Sequence, residues 1–345
     1  FTIRGKALYP QMDFLFQMME EILNTSKITD TKRLYEIIAE IKSRGQASLI
    51  GSGHQTAVLR GASYGSPMAR FQDEMAGVGY YKFIEDLEKN FQDKKAEIVA
   101  GLENAMAEII RRDSFMVSYT GERESVEQLK ALSGSLKKSL KESSCQVPEV
   151  AITCEKKNEG FKTSGQVQYV ARTGNFVKKG FTYTGALEIL KVALSYDYLW
   201  QNIRVKGGAY GCMSSFNRIG EGYFVSYRDP NLKRTIDVYE GVVDYLENFT
   251  VSDRDMTKYI IGTISNIDQP MTPATKGERS MNLYMNKVSA EMIKKERAQI
   301  LDASQEDIRA LAKVAKAVLA ADQLCVIGGE EKIEEDKELF GDVTS

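Results

Sequence analysis

The sequence predicts an α+β fold of two related domains, each a mostly antiparallel sheet with helices packed on one face. Three observations predict it. Short alternating stretches such as Tyr223–Tyr227 lie among long amphipathic ones without strict β-α-β alternation. The order strand, proline, helix, polar turn, capped helix occurs twice. The length, 345 residues, suits two domains at roughly 100–200 residues each.

In the first copy, Phe1–Leu8 reads as a strand, and Pro10 opens a helix with Met12, Leu15, Phe16, Met19 and Ile22 along one face. Asn24-Thr25-Ser26 is a polar turn, and Thr29 or Asp30 caps the next helix. The copy closes on a strand, Ser114–Gly121, followed by Glu122 and Glu124 where a helix dipole favours negative charge. The Lys/Ser-rich stretch Ser139–Pro148 reads as a linker. The second copy opens with a strand at Val167–Arg172, a helix at Thr184–Ile203 and a strand at Gly208–Phe216. It then repeats the first: strand Tyr223–Tyr227, Asp229-Pro230, and a helix with Leu232, Ile236, Tyr239, Val243 and Leu246 inward. Asn248-Phe249-Thr250 is its polar turn, and Ser252–Asp255 has a capping-box pattern. Its last strand, Asp322–Gly329, runs into Glu330 and Glu331, as the first copy's runs into Glu122. Nothing like residues 150–222 precedes Phe1, so the first copy reads as N-terminally truncated and the chain as cut from something longer. The domains are expected at residues 1–146 and 147–345.

A formal net charge of −2, with 43% hydrophobic and 27% charged residues, is ordinary globular composition without the basic surplus that nucleic-acid binding needs. Lys137, Lys138 and Lys141 read as the solvated end of a helix. No apolar run reaches 18 residues, so no transmembrane helix is expected, and Phe1–Leu8 reads as a strand rather than a signal peptide. The cysteines (Cys145, Cys154, Cys212, Cys325) form no CxxC pair and fit a reducing compartment. A bacterial cytoplasm is the expectation, with an organelle matrix as the alternative.

Chemistry is sparse. His54 is the single histidine, and neither HExxH nor HxxEH occurs, so no metal site is expected in this chain. There is no GxSxG elbow and no phosphate-binding loop. With no nucleophile beside it, His54 reads as a structural or surface residue. Gly51-Ser52-Gly53 and Thr173-Gly174-Asn175 read as ordinary turns or close helix packing. The abundant Met, Tyr and Phe read mainly as core, with an adaptable Met-rich wall as the functional reading. The informative stretch is Asn202–Cys212. Gly207-Gly208 leaves room for another chain to approach, between a guanidinium at Arg204 and a phenol at Tyr210. Such a pair can grip a peptide carbonyl and donate to a developing oxyanion. A plain helix-to-strand turn with a surface arginine and a half-buried tyrosine reads the same way.

The form Arg204-x-x-Gly207-Gly208-Ala209-Tyr210-Gly211, followed by Ser226-Tyr227-Arg228-Asp229-Pro230, resembles a signature in the C-terminal half of the pitrilysin/insulinase (M16) metallopeptidases. It resembles the presequence protease branch, subfamily C, in particular. Gly5-Lys6-Ala7-Leu8 and Gly51-Ser52-Gly53-His54 are similar to that branch too, and the resemblance spans nearly the whole chain in order. It implies the LuxS/MPP-like metallohydrolase fold: two related halves, each of two α+β domains, closing round a peptide chamber. Residues 1–146 would be a truncated third domain and 147–345 a complete fourth. The implied activity is zinc-dependent endopeptidase cleavage of unstructured peptides. The zinc, its HxxEH ligands and the glutamate general base would lie in an N-terminal half, in the same precursor or a separate chain. Tyr210 and Arg204 would be the catalytic pair reaching across to substrate, with Gly207, Gly208 and Ala209 as substrate-binding backbone. This chain alone would hold no zinc and be inactive. The implied partners are the zinc-bearing half and unfolded peptides, with no nucleic acid and no membrane. The alternative is a non-catalytic structural or peptide-docking subunit of the same fold. A third reading, an unrelated enzyme, requires His54 to be essential in this chain alone.

Overall fold

A computed structural model describes residues 1–142 and 149–344, so Cys145 and most of the expected linker lie outside the described residues. In chain order, helices α1 (Met12–Thr25), α2 (Thr31–Gly51), α3 (Gly53–Ser63), α4 (Pro67–Ala76), α5 (Val78–Lys89), α6 (Phe91–Ile109) and α7 (Val126–Ser139) come first. Strands β1 (Glu159–Thr163) and β2 (Tyr169–Asn175), helix α8 (Ala186–Tyr196), β3 (Gly211–Phe216) and β4 (Glu221–Tyr227) follow. Next are α9 (Lys233–Glu240), α10 (Val242–Glu247), α11 (Asp253–Ile267), α12 (Pro273–Met285), α13 (Ala290–Leu301), α14 (Gln305–Ala310) and α15 (Ala312–Leu319). The chain closes with β5 (Gln323–Gly329), α16 (Glu330–Glu335) and β6 (Asp342–Thr344).

Two compact units result. One gathers Phe1–Lys42, Ile84–Val150 and Pro270–Val288; the other gathers Ser43–Phe83, Ala151–Gln269 and Ser289–Ser345. These follow spatial contact, whereas the expected pair follows sequence repetition, and residues 43–83 and 270–288 are the main places where the two divisions part.

The first unit is helical among its described residues. In α1 the expected stripe buries Met12 and Phe16, and Asp30 caps α2 by accepting from the Arg33 N–H at 3.0 Å. The expected strands Phe1–Leu8 and Ser114–Gly121 are not strands. A strand exists only through a neighbour that takes its backbone hydrogen bonds, and neither segment has one among the described residues.

The second unit carries one six-stranded sheet in the order β3-β4-β2-β5-β1-β6. Strands β3, β4, β2 and β5 pair antiparallel; β1 pairs parallel with β5 and with β6. Alternation sets the two faces. Val170, Phe224 and Val326 face a core shared with Leu190, Leu194, Val318 and Tyr239, whose hydroxyl donates to the Val170 carbonyl at 3.0 Å. Tyr169, Ala171, Val225 and Ile327 point the other way, where Ala57 of α3 and Tyr64 just beyond its end cover them. Full burial of each large apolar side chain stabilises by about 1.5–3 kcal/mol. Close packing accounts for one glycine in each motif: a Cβ on Gly53 would lie 2.3 Å from the Tyr169 ring, and one on Gly174 2.2 Å from the Val318 carbonyl oxygen, whereas one on Gly51 would meet nothing within 4 Å.

A buried ionic cluster fixes α3 and α4 to β1. The Arg60 guanidinium donates to both Glu159 oxygens, at 2.5 and 2.8 Å, and to Asp73 at 2.7 Å. Tyr64 donates to Glu159 at 2.9 Å, and the Val78 and Gly79 amides to Asp73 at 3.0 and 3.2 Å. Burial alone would favour a neutral Glu159, but the Arg60 hydrogen bonds and charge outweigh it and hold the carboxyl below its usual range.

Candidate functional site

The site grows out of the end of α8. Leu187, Leu190 and Leu194 anchor that helix in the core. It stops at Tyr196, short of the expected Ile203, and the chain continues as a π-helical turn over Trp200–Val205, closed by the Lys206 N–H on the Gln201 carbonyl at 3.0 Å. Such turns are rare and recur at functional sites. Buried Ile203 ties the turn to the core, while Trp200 and Arg204 remain on its outer side, the guanidinium 4.4 Å from the indole centroid.

The two glycines then reverse the chain into β3. Gly208 has φ +82°, a left-handed conformation that only glycine takes readily. A Cβ on Gly207 would sit 2.4 Å from the Ile203 carbonyl oxygen. Ala209 is buried and its N–H returns to the Ile203 carbonyl at 3.1 Å. From outside, Asn231 donates to the Gly207 carbonyl at 2.7 Å. Asn231 is itself placed by Asp229, which accepts from its N–H at 2.9 Å and from the Thr235 hydroxyl at 2.6 Å. Asp229 is fully buried, and desolvation raises its pKa despite these bonds.

The structure therefore brings Arg204 and Tyr210 together. Arg204 Nη1 donates to the Tyr210 carbonyl, and the guanidinium lies 5.2 Å from the Tyr210 ring centroid. Tyr210 itself is 65% exposed, so its phenol faces solvent. A guanidinium carries five N–H donors, which leaves several for a ligand carbonyl. Beyond Tyr210 the rings continue: Tyr227 at 6.0 Å, then His54 edge-on to Tyr227 at 4.9 Å and Tyr169 at 5.6 Å from Tyr227. His54 thus lies among tyrosines, its buried Nδ1 lacks a partner, and burial lowers its pKa. Cys212 is no ready nucleophile, because burial pushes its thiol up to about 12.

Zinc does not fit the residues present. Among the described residues no three His, Cys, Asp or Glu side chains cluster to hold a metal, and His54 stands alone among aromatic rings. No helix of the described chain is long and apolar enough to cross a membrane. The sequence reading named Asp229 only within a motif, and missed Trp200 and Asn231 as supports of the pair. The one signal for Trp200 was its place four residues before Arg204, one helical turn away.

Residues 158–328 match the PreP C-terminal domain family, and residues 1–87 match the family described as associated with peptidase M16 subfamily C. The chain is 38% identical over 343 residues to Protein HypA of Clostridium perfringens, covering 99% of this chain and 35% of that one. It is 29% identical over 325 residues to Presequence protease 1, chloroplastic/mitochondrial, of Arabidopsis thaliana, covering 92% of this chain and 29% of that one. The chain spans about a third of the length of the curated relatives it matches. The crystal structure of pitrilysin has the same fold, with a TM-score of 0.59 at 12% identity, over 92% of this chain and 33% of that one. The chain belongs to the M16 peptidase family, in its presequence protease branch (subfamily C), and lies within the C-terminal half.

Proposed function

We propose that this chain is the substrate-gripping C-terminal half of a zinc-dependent endopeptidase that degrades unstructured peptides in a closed chamber. The observation that carries the proposal is the Arg204–Tyr210 pair: an exposed phenol and a multi-donor guanidinium, held on one turn by Gly207, Gly208 and the Asp229–Asn231 brace. Arg204 takes the carbonyl oxygen of a bound peptide. Tyr210 donates its hydroxyl proton in a hydrogen bond to the oxygen that gains negative charge as the scissile carbonyl is attacked. Backbone at Gly207, Gly208 and Ala209 lets the peptide approach closely. Zinc supplies Lewis-acid chemistry from the part of the protein outside this chain. Residues 1–146 and 147–345 act as the third and fourth domains of that enzyme.

The test is kinetic, in the complete protein. A donor aimed at a developing oxyanion contributes about 2.7–4 kcal/mol, so Tyr210→Phe lowers kcat by about 10²–10³. A change below about threefold removes that role. Arg204→Ala raises KM at least as much as it lowers kcat; a normal KM with a depressed kcat reassigns Arg204 to the transition state.

A further inference from the structure

A cavity of about 270 Å³ opens beside the candidate site, between α3, the start of α4 and the β3–β4 hairpin. Nothing in the proposed chemistry uses it. The volume is below the roughly 300–1,000 Å³ of sites that enclose whole small molecules, and suits one long side chain. Val58, Leu59, Met213 and Val225 give it an apolar wall, and His54, Gln55 and Gln72 add polar groups. Glu221 stands in its lining. That carboxylate accepts from the Ser66 hydroxyl at 2.5 Å and from the Asn217 amide at 3.0 Å, both neutral donors. No cation pairs with it among the described residues, and neighbouring Lys178 is engaged on the Gly65 carbonyl at 2.6 Å. A partly apolar sleeve with an anion that no cation pairs matches a side chain with an aliphatic stem and a positive tip.

The sheet supplies a way to deliver such a side chain. β3 is the edge strand, so its outer backbone groups have no strand partner among the described residues. Exposed edges of this kind accept an extended peptide as an added strand, whose alternate side chains enter pockets. Along β3, Cys212, Ser214 and Phe216 are buried toward the core, whereas Met213 and Ser215 face the cavity. Tyr210 lies immediately before the strand. At about 3.3 Å per residue, Met213–Ser215 lies about 10–17 Å along from Tyr210, a distance of three to five peptide residues.

We infer that this cavity is a specificity subsite for an arginine or lysine side chain of an extended peptide paired along β3, three to five residues from the peptide group held at Arg204 and Tyr210. The inference rests on the peptide-gripping reading above, and its test is separate from cleavage. A fluorescein-labelled, unstructured peptide of Ala, Ser and Thr with one central Arg is titrated against this 345-residue chain by anisotropy. The same peptide with citrulline, which keeps the shape and removes the charge, is the reference. The Arg peptide binds about tenfold tighter at low salt, a factor set by one charge-assisted contact. Glu221→Gln, whose carbonyl can accept from Asn217 while its amide donates to the Ser66 hydroxyl, abolishes the preference, and Met213→Trp, which fills the cavity, does the same. Equal binding of the two peptides, or of neither, overturns the subsite, whatever the complete protein does in a cleavage assay. A preference that survives both substitutions overturns its placement here.

Discussion

Arg60 is the residue whose loss the second unit should tolerate least. It is 5% exposed and is the cation between Asp73 and Glu159, which are 0% and 1% exposed. Arg60→Met keeps the length and removes the charge, leaving two buried carboxylates facing each other. The amides of Val78 and Gly79 still serve Asp73, and Tyr64 still serves Glu159, but no guanidinium offsets their desolvation. Removing one partner of a buried ionic group costs about 3–5 kcal/mol, against a total stability of about 5–15 kcal/mol. With a urea slope of about 2–3 kcal/mol per molar, the midpoint falls by about 1–2.5 M. Trp200 is the single tryptophan and belongs to this unit, so its fluorescence in urea reads the transition. Acid sharpens the test. The Glu159 carboxyl titrates lower folded than unfolded because of Arg60. Its stabilisation is therefore complete above the unfolded pKa of about 4.3 and is lost as pH falls toward the folded value. Arg60→Met raises the pH of acid unfolding. The double change Arg60→Met, Glu159→Gln recovers part of the loss, since a neutral Gln removes one uncompensated buried charge and its carbonyl still accepts from Tyr64. A loss below about 1 kcal/mol for Arg60→Met alone refutes this reasoning.

Gly208→Ala forces an L residue to φ +82° at a cost of about 1–2 kcal/mol. Gly207→Ala drives a Cβ against the Ile203 backbone and should cost more. Thermal melts order the two, and an unchanged melt for Gly207→Ala contradicts the close approach. His54 has a folded pKa below its unfolded value of about 6.5, so the unfolded chain takes up the proton first and stability declines as pH falls below about 6.5. Because no other histidine exists, His54→Phe flattens the stability profile just below about pH 6.5. A slope that persists in the variant assigns it elsewhere.

Local signals made much of the second unit legible. The apolar stripe Leu232, Ile236, Tyr239, Val243 and Leu246 is α9 and α10, interrupted at Gly241. Alternation revealed β4, and the Ser252 cap is where its pattern placed it, accepting from the Asp255 N–H at 3.2 Å. The Gly207-Gly208 pair announced a chain reversal between two polar side chains. What stayed hidden depends on distant partners. β1, Glu-Gly-Phe-Lys-Thr, has no readable alternation and exists because β5 and β6 flank it. Helices α3 and α4 join the sheet through Arg60 and Glu159, 99 residues apart, which no periodicity reports. Phe1–Leu8 and Ser114–Gly121 have strand-like composition without a ladder, since composition makes a strand possible and only pairing makes it one. The π-turn was hidden because Trp200–Val205 has the composition of a continuing helix.

The most direct test of the central claim is zinc-supplemented cleavage of a quenched fluorescent, unstructured peptide by three samples. They are this chain alone, the complete protein from the same source, and the complete protein with Tyr210→Phe. The account predicts no cleavage by the chain, cleavage by the complete protein, and a loss of about 10²–10³ in kcat in the variant. A complete protein that binds zinc and cleaves equally well with Tyr210→Phe contradicts the role of the Arg204–Tyr210 turn. A complete protein that binds no metal and cleaves nothing contradicts the peptidase reading and leaves a peptide-docking subunit of the same fold.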